Sequence, residues 1–149
     1  MLLNSICELD VVCCSPRTTV LEAAHIMRRK HIGDLVVVDD DDDNRAPIGI
    51  ITDRDIVVEV LGANLDPAKT AVGSVVRTPL IIAHEDEDTF QVLERMRTHG
   101  VRRIPVVSVA GRLTGIITVD DLLKRLAADA NLLTEIVSRE QRLERRTLR

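Results

Sequence analysis

Aromatic side chains are almost missing from this chain of 149 residues: Phe90 stands alone, with no Trp and no Tyr. A core without rings must be filled by branched aliphatics, and the 45% apolar content is overwhelmingly Val, Ile, Leu and Ala, which predicts helices packed on sheet. So apolar a composition excludes a disordered chain. No apolar run approaches the ~20 residues that cross a bilayer. The opening MLLNSICELD lacks the basic start and long apolar stretch of a secretory signal, so the expectation is a soluble, cytoplasmic protein with no membrane partner. Basic residues are scattered except at the C-terminal end, and the formal charge is −4 with a pI near 5.6, which disfavours a nucleic-acid partner.

Cysteine is sparse. Cys7, Cys13 and Cys14 form no CxxC pair and have no His at zinc spacing, so they read as small buried hydrophobes in a reducing compartment. His25, His31, His84 and His99 make no HxxxH or HExxH pattern, and no Ser or Cys sits in a nucleophile-elbow context. The chain therefore offers no catalytic residues, and no metal site is expected. The acidic run Asp39 to Asp43 lacks the Gly and Glu positions of a calcium loop and reads as a solvated, self-repelling turn. HEDED, from His84 to Asp88, precedes a helix, where acids complement the positive helix end and Asp88 caps it.

What the chain does have is a repeat. GIITDRDIVVEV starts at Gly49 and GIITVDDLLKRL at Gly115, each placing an Asp three residues after the Thr. In the first half, helical spacing at Val20, Ala23, Ala24 and Met27 precedes the strand LVVV, then the strand IGIIT, then the helix DRDIVVEVL stopping at Gly62. The second half runs through TFQVLERMRTHG, RIPVV, LTGIIT and VDDLLKRLAA in the same order. Met27 and Met96 are 69 residues apart and the two GIIT runs 66 apart, so the first copy carries three extra residues in its acidic turn, where insertions cost little. Gly and Pro between Gly62 and Val75 read as a linker. The organisation expected is a first repeat over 1–70, a second over 71–128 and a charged helical tail over 129–149.

Two copies of a roughly 60-residue unit, each with an hPVV-like strand (IPVV at Ile104, the degenerate LVVV at Leu35) and a closing GIITxxD, resemble a tandem cystathionine-β-synthase (CBS) domain pair. The resemblance implies an α/β fold in which β-α-β-β-α repeats pack around a pseudo-twofold axis, leaving two clefts that commonly hold AMP, ADP, ATP or S-adenosylmethionine. It implies a regulatory, ligand-sensing module that needs no cofactor, has no chemistry of its own, and signals to its own dimer or to a regulated protein.

Within that family the Asp of the motif accepts hydrogen bonds from the ribose hydroxyls and the Thr binds phosphate or ribose oxygens. The same T-x-x-D is also a helix capping box, and the two uses can coexist. The resemblance assigns Thr52 and Asp55 to a main cleft with Arg54, with Ile81, Ile104 and Pro105 against the adenine, and with Arg102 and Arg103 toward the phosphates. It assigns Thr118, Asp120 and Asp121 to a second cleft with Val12, Leu35 and Asp34. A carboxylate at Asp34 repels phosphate where the other copy has Arg103, so the Asp55 cleft is expected to be the nucleotide site and the other the weaker one. The alternative is a structural adaptor with empty clefts, its T-x-x-D motifs serving only as caps. In the tail, Leu126, Leu133, Ile136 and Leu143 recur at seven- or three-residue intervals. They read either as a helix that packs across the module or frays, or as a contact with a second chain. The apolar faces of the helices over 20–29 and 90–98, with the closing helices, point to a homodimer.

Overall fold

The computed structural model describes residue 3, residues 6–41 and residues 43–147. Asp42 of the acidic run and the last two residues of the tail lie outside the described residues. The first repeat holds β1 (Cys13–Cys14), α1 (Val20–Lys30), β2 (Asp34–Val38), β3 (Pro47–Thr52) and α2 (Asp53–Asp55), which continues as a wider π-helical segment, Ile56–Leu61. The second holds β4 (Ala83–His84), α3 (Thr89–His99), β5 (Arg103–Val107), β6 (Leu113–Thr118) and α4 (Val119–Thr147). Each repeat makes one three-stranded sheet, β1-β2-β3 or β4-β5-β6, with the first pair parallel and the second antiparallel. The fold is the expected α/β pair of repeats.

Strand alternation explains why LVVV is apolar throughout. Leu35 and Val37 face the helices of their own repeat, while Val36 and Val38 face a seam shared with Ile116, Leu113 and Ile50, so β2 is buried on both sides. Thr19 caps α1 with Glu22 in a reciprocal box, and Asp88 caps α3 with Gln91. The two helices end in left-handed residues 69 positions apart, His31 and Gly100.

The repeats exchange their leading segments. Leu3, Ile6 and Cys7 pack in the core of the second repeat, whereas Val72, Val75 and Val76 pack in the core of the first. The stretch read as a linker is therefore fixed: Val72 is fully buried and its amide donates to the Thr18 carbonyl at 2.8 Å. This also accounts for the Gly in both GIIT runs. A Cβ on Gly49 would stand 3.0 Å from Val76, and one on Gly115 would stand 3.0 Å from the Cys7 sulfur and the Glu8 carbonyl oxygen.

Three local expectations change. DRDIVVEVL forms one α-helical turn and then widens through Ile56–Leu61, where β-branched residues crowd successive turns, before Gly62 bonds back to Val57 at 2.9 Å. The acidic turn is anchored as well as solvated, for Arg17 pairs with Asp41 at 3.0 Å and Ser15 donates to Asp40. The tail is no separate element, because α4 runs unbroken for 29 residues with no Gly or Pro to stop it. Among the described residues no helix is long and apolar enough to cross a membrane.

Candidate functional site

Each β3→α2 or β6→α4 junction turns on the T-x-x-D motif. Thr52 Oγ1 accepts from the Asp55 amide at 3.1 Å, while Asp55 Oδ2 accepts from the Thr52 amide at 2.9 Å and from its hydroxyl at 2.7 Å. Thr118 and Asp121 repeat this at 3.2, 3.0 and 2.6 Å. Both motifs are thus complete capping boxes. They differ in the oxygen left over. Asp55 Oδ1 carries no hydrogen bond among the described residues, whereas Asp121 Oδ1 has Lys124 Nζ at 4.0 Å.

Thr52 and Asp55 open onto a cavity of about 420 Å³, within the range of small-molecule sites. Ile50, Asp53 and Arg54 complete the wall from the first repeat. The opposite wall comes from Arg77, Pro79, Leu80 and Ile81, which lead into β4, and from Gly100, Val101, Arg102 and Arg103 between α3 and β5. The structure thus brings together Thr52, Arg54, Asp55, Ile81, Arg102 and Arg103. It does not bring Ile104 or Pro105 to the cavity. Ile104 is fully buried in the core of its repeat, and Pro105 is buried in β5 opposite Ile116. The apolar walls are instead Leu80, Ile81 and Val101.

The second cavity, about 230 Å³, is lined by Glu8, Asp10, Val11, Val12, Lys30, Ile32, Asp34, Ile116 and Thr118. Of the residues expected there, Val12, Asp34 and Thr118 are present. Leu35 faces the first core, and neither Asp120 nor Asp121 lines the cavity.

The two cavities are related by the repeat, and their charges are inverted. At an offset of 69, Glu8 corresponds to Arg77, Asp10 to Pro79, Gly33 to Arg102 and Asp34 to Arg103; at the offset of 66 beyond the acidic turn, Arg54 corresponds to Asp120. The first cavity therefore has four arginines against Asp53 and Asp55, while the second has three acids against Lys30. Arg77 was not singled out in the sequence. Its signal was its placement ahead of the second repeat's first strand, opposite in sign to Glu8.

Among the described residues, three of the four arginines have acid partners. Arg102 reaches Asp120 at 3.6 Å and Arg77 reaches Glu59 at 3.3 Å, both on open surface where such pairs are weak. Arg103 is different, since it pairs with Asp34 across the two repeats with both side chains mostly covered. Burial pushes the Asp34 carboxyl above its ordinary range; Arg103 opposes the rise and Asp53 adds to it. Elsewhere, burial pushes the Cys14 thiol up to about 11, with Cys13 and Asp40 adding, which keeps it protonated at neutral pH. Among the described residues no three His, Cys, Asp or Glu side chains form a metal-holding group.

Residues 4–62 and 72–128 each match the CBS domain. The chain belongs to the CBS domain family. It is 36% identical over 127 residues to hypoxic response protein 1 of Mycobacterium tuberculosis, covering 85% of this chain and 86% of that one. It is 35% identical to protein MK0525 of Methanopyrus kandleri over 121 residues, 81% of this chain but only 60% of that protein's length. Among solved structures it resembles hypoxic response protein I with two coordinated zinc ions (TM-score 0.74, 34% identity, covering 83% of this chain and 98% of that one). It also resembles the CBS domain pair of protein MJ0100 in complex with 5′-methylthioadenosine and S-adenosyl-L-methionine (TM-score 0.75, 27% identity, covering 87% and 98%).

Proposed function

We propose that this CBS pair is a regulatory module that binds an adenine nucleotide, AMP, ADP or ATP, in the cleft of Thr52 and Asp55. The observation that carries the reading is the charge inversion between the clefts. Arg54, Arg77, Arg102 and Arg103 surround a cavity large enough for a nucleoside phosphate, and the equivalent positions of the other repeat's cleft motif are Asp120, Glu8, Gly33 and Asp34, of which Glu8 and Asp34 line the second cavity. Asp55 Oδ1, open to a further bond, receives a ribose hydroxyl through a charge-assisted bond. Leu80, Ile81 and Val101 supply apolar walls for a base. The adenosine ligands of the MJ0100 pair, a fold relative, support the same ligand class. In this reading the protein works in the cytoplasm as a homodimer, needs no cofactor, catalyses nothing, and passes its occupancy to a regulated protein.

A second reading has one observation in its favour: both T-x-x-D motifs are fully satisfied as caps, as in an adaptor with empty clefts. Titration calorimetry with AMP, ADP, ATP and S-adenosylmethionine separates the two. Nucleotide binding that weakens in Asp55→Ala supports the sensor; no binding of any of the four at millimolar concentration sinks it and leaves the adaptor.

A further inference from the structure

Arg103 lines the first cavity and Asp34 lines the second, and the two are paired to each other. Their ion pair is the partition between the clefts. A phosphate that enters the first cavity meets a guanidinium whose strongest partner is a carboxylate belonging to the other. Resting on the nucleotide reading above, we propose that an anionic ligand in the first cleft and Asp34 in the second compete for Arg103, so that filling one cleft alters the charge of the other.

The surroundings of Asp34 set its protonation once Arg103 is drawn away. Asp53 approaches from α2, Glu8 and Asp10 line the same cavity from the leading segment, and Lys30 lies at the end of α1. Among the described residues lining this cavity, Lys30 is the one cation, against Glu8 and Asp10. Lys30 is exposed, so it is well solvated and compensates little. Burial already raises the Asp34 carboxyl, and loss of Arg103 removes the main influence holding it down. Withdrawal of Arg103 therefore drives Asp34 toward its protonated form. Without that proton the second cavity would set three carboxylates against Lys30; with it, the cavity loses one negative charge. Ligand binding in one cleft and protonation in the other are thereby linked, and the linkage is reciprocal. Lower pH favours the nucleotide-bound state, because protonating Asp34 frees Arg103 for phosphate.

The same competition predicts that Asp34 weakens binding in the first cleft. If Asp34 instead served to aim Arg103 at the phosphate, its removal would weaken binding, so the sign of the effect discriminates between the two roles. The test titrates the full chain and Asp34→Asn with AMP by calorimetry at pH 6, in buffers of different ionisation heat, which counts protons exchanged on binding. The phosphate's own protonation change is common to both proteins and cancels in the comparison. The expected result is that Asp34→Asn binds AMP roughly three- to ten-fold more tightly, the scale of an interaction lost from a partly covered pair. The parent should also take up more protons per AMP than the variant. An equal proton count, or an affinity in Asp34→Asn that is unchanged or weaker, overturns the coupling while leaving the nucleotide site in place. Absence of AMP binding in both proteins overturns the nucleotide reading and the coupling with it. Asp34→Ser serves as the second variant should the Asn protein melt early.

Discussion

Asp34 and Arg103 occupy the same position in the two repeats, each at the start of a strand, and they face each other as an ion pair. A position close to a pseudo-twofold axis meets its own equivalent, so a strictly repeated residue there would set like charges in contact. Two arginines would repel, and so would two aspartates. Opposite signs at this one position let the sheets close, and they also make the clefts chemically unequal.

Reversing one of the pair therefore destabilises the fold. Asp34→Arg places two guanidiniums together and is expected to cost about 1–3 kcal/mol, as is Arg103→Asp. The double exchange restores most of the loss because the attraction is re-formed with the partners swapped. Urea melts of the four proteins complete the cycle; strictly additive losses would show that the two side chains do not interact.

The pH dependence of stability has opposite signs at two carboxylates. Asp34 is raised in the fold, so its stabilising contribution is full below the unfolded value, about 3.9, and is lost as pH rises through the folded value. Relative to Asp34→Asn, the parent should therefore lose stability from pH 4 upward. Glu87 is the reverse case. Burial alone would raise it, but bonds from Arg95 at 2.6 and 3.1 Å and from the His84 amide at 2.7 Å outweigh burial and hold it low. Its contribution is present above the unfolded value, about 4.3, and is lost as pH falls through the folded value. Glu87→Gln should therefore cost about 1–3 kcal/mol at pH 7 and progressively less in acid. Thermal melts at several pH values check both slopes.

The duplicated motif supplies its own control for the ribose contact. Asp55→Ala and Asp121→Ala each break a capping box, so each should lower stability by about 0.5–2 kcal/mol. Only Asp55→Ala should also weaken AMP binding, by ~1–3 kcal/mol. Equal losses of affinity in calorimetry would show that the clefts are not ranked by their charges.

The pair of repeats was legible because GIITxxD recurs intact, and the arginines beside IPVV pointed to the more basic cleft. Strand alternation takes Ile104 and Leu35 away from the clefts. If Arg103 faces the cleft, strand alternation sends Ile104 to the core, and the same holds for Asp34 and Leu35. Arg77 was harder to find. It reaches the first cavity because the leading segment of the second repeat packs on the first, and that exchange is written only in Gly49 and Gly115, whose missing side chains make room for it. The Arg103–Asp34 pair needed the packing of the sheets to become visible.

Arg77, Arg102 and Arg103 should share the reading of ligand charge. Arg77→Gln is expected to lower affinity for AMP by about 0.5–2 kcal/mol while scarcely altering adenosine, since a guanidinium near phosphate has nothing to gain from the uncharged ligand. Arg102→Gln with Arg103→Gln should bring adenosine and AMP close together and flatten the salt dependence. If the double variant keeps the parent's preference for AMP, the phosphate is held by Arg54 and Arg77.

The long closing helix gives the last prediction. Leu123, Leu126, Leu133, Ile136, Val137 and Leu143 are all more than half exposed on α4, and the helix runs past the body of its own repeat, where the partly covered residues are those of its first turn and Asp129. A single amphipathic helix projecting into water is marginal on its own, because its stability normally comes from packing one apolar face. A second copy supplies that packing, since the stripe would meet its own equivalent, and each large aliphatic covered contributes about 1.5–3 kcal/mol. Light scattering at micromolar concentration should therefore report twice the 16.5 kDa chain mass. Leu133→Glu with Ile136→Glu should yield monomers that still bind AMP, because the Asp55 cleft is built within one chain. A parent that scatters as a monomer contradicts the dimer. A double-Glu variant that remains dimeric moves the interface off α4, to the exposed Leu21 of α1 and to Phe90 and Leu93 of α3.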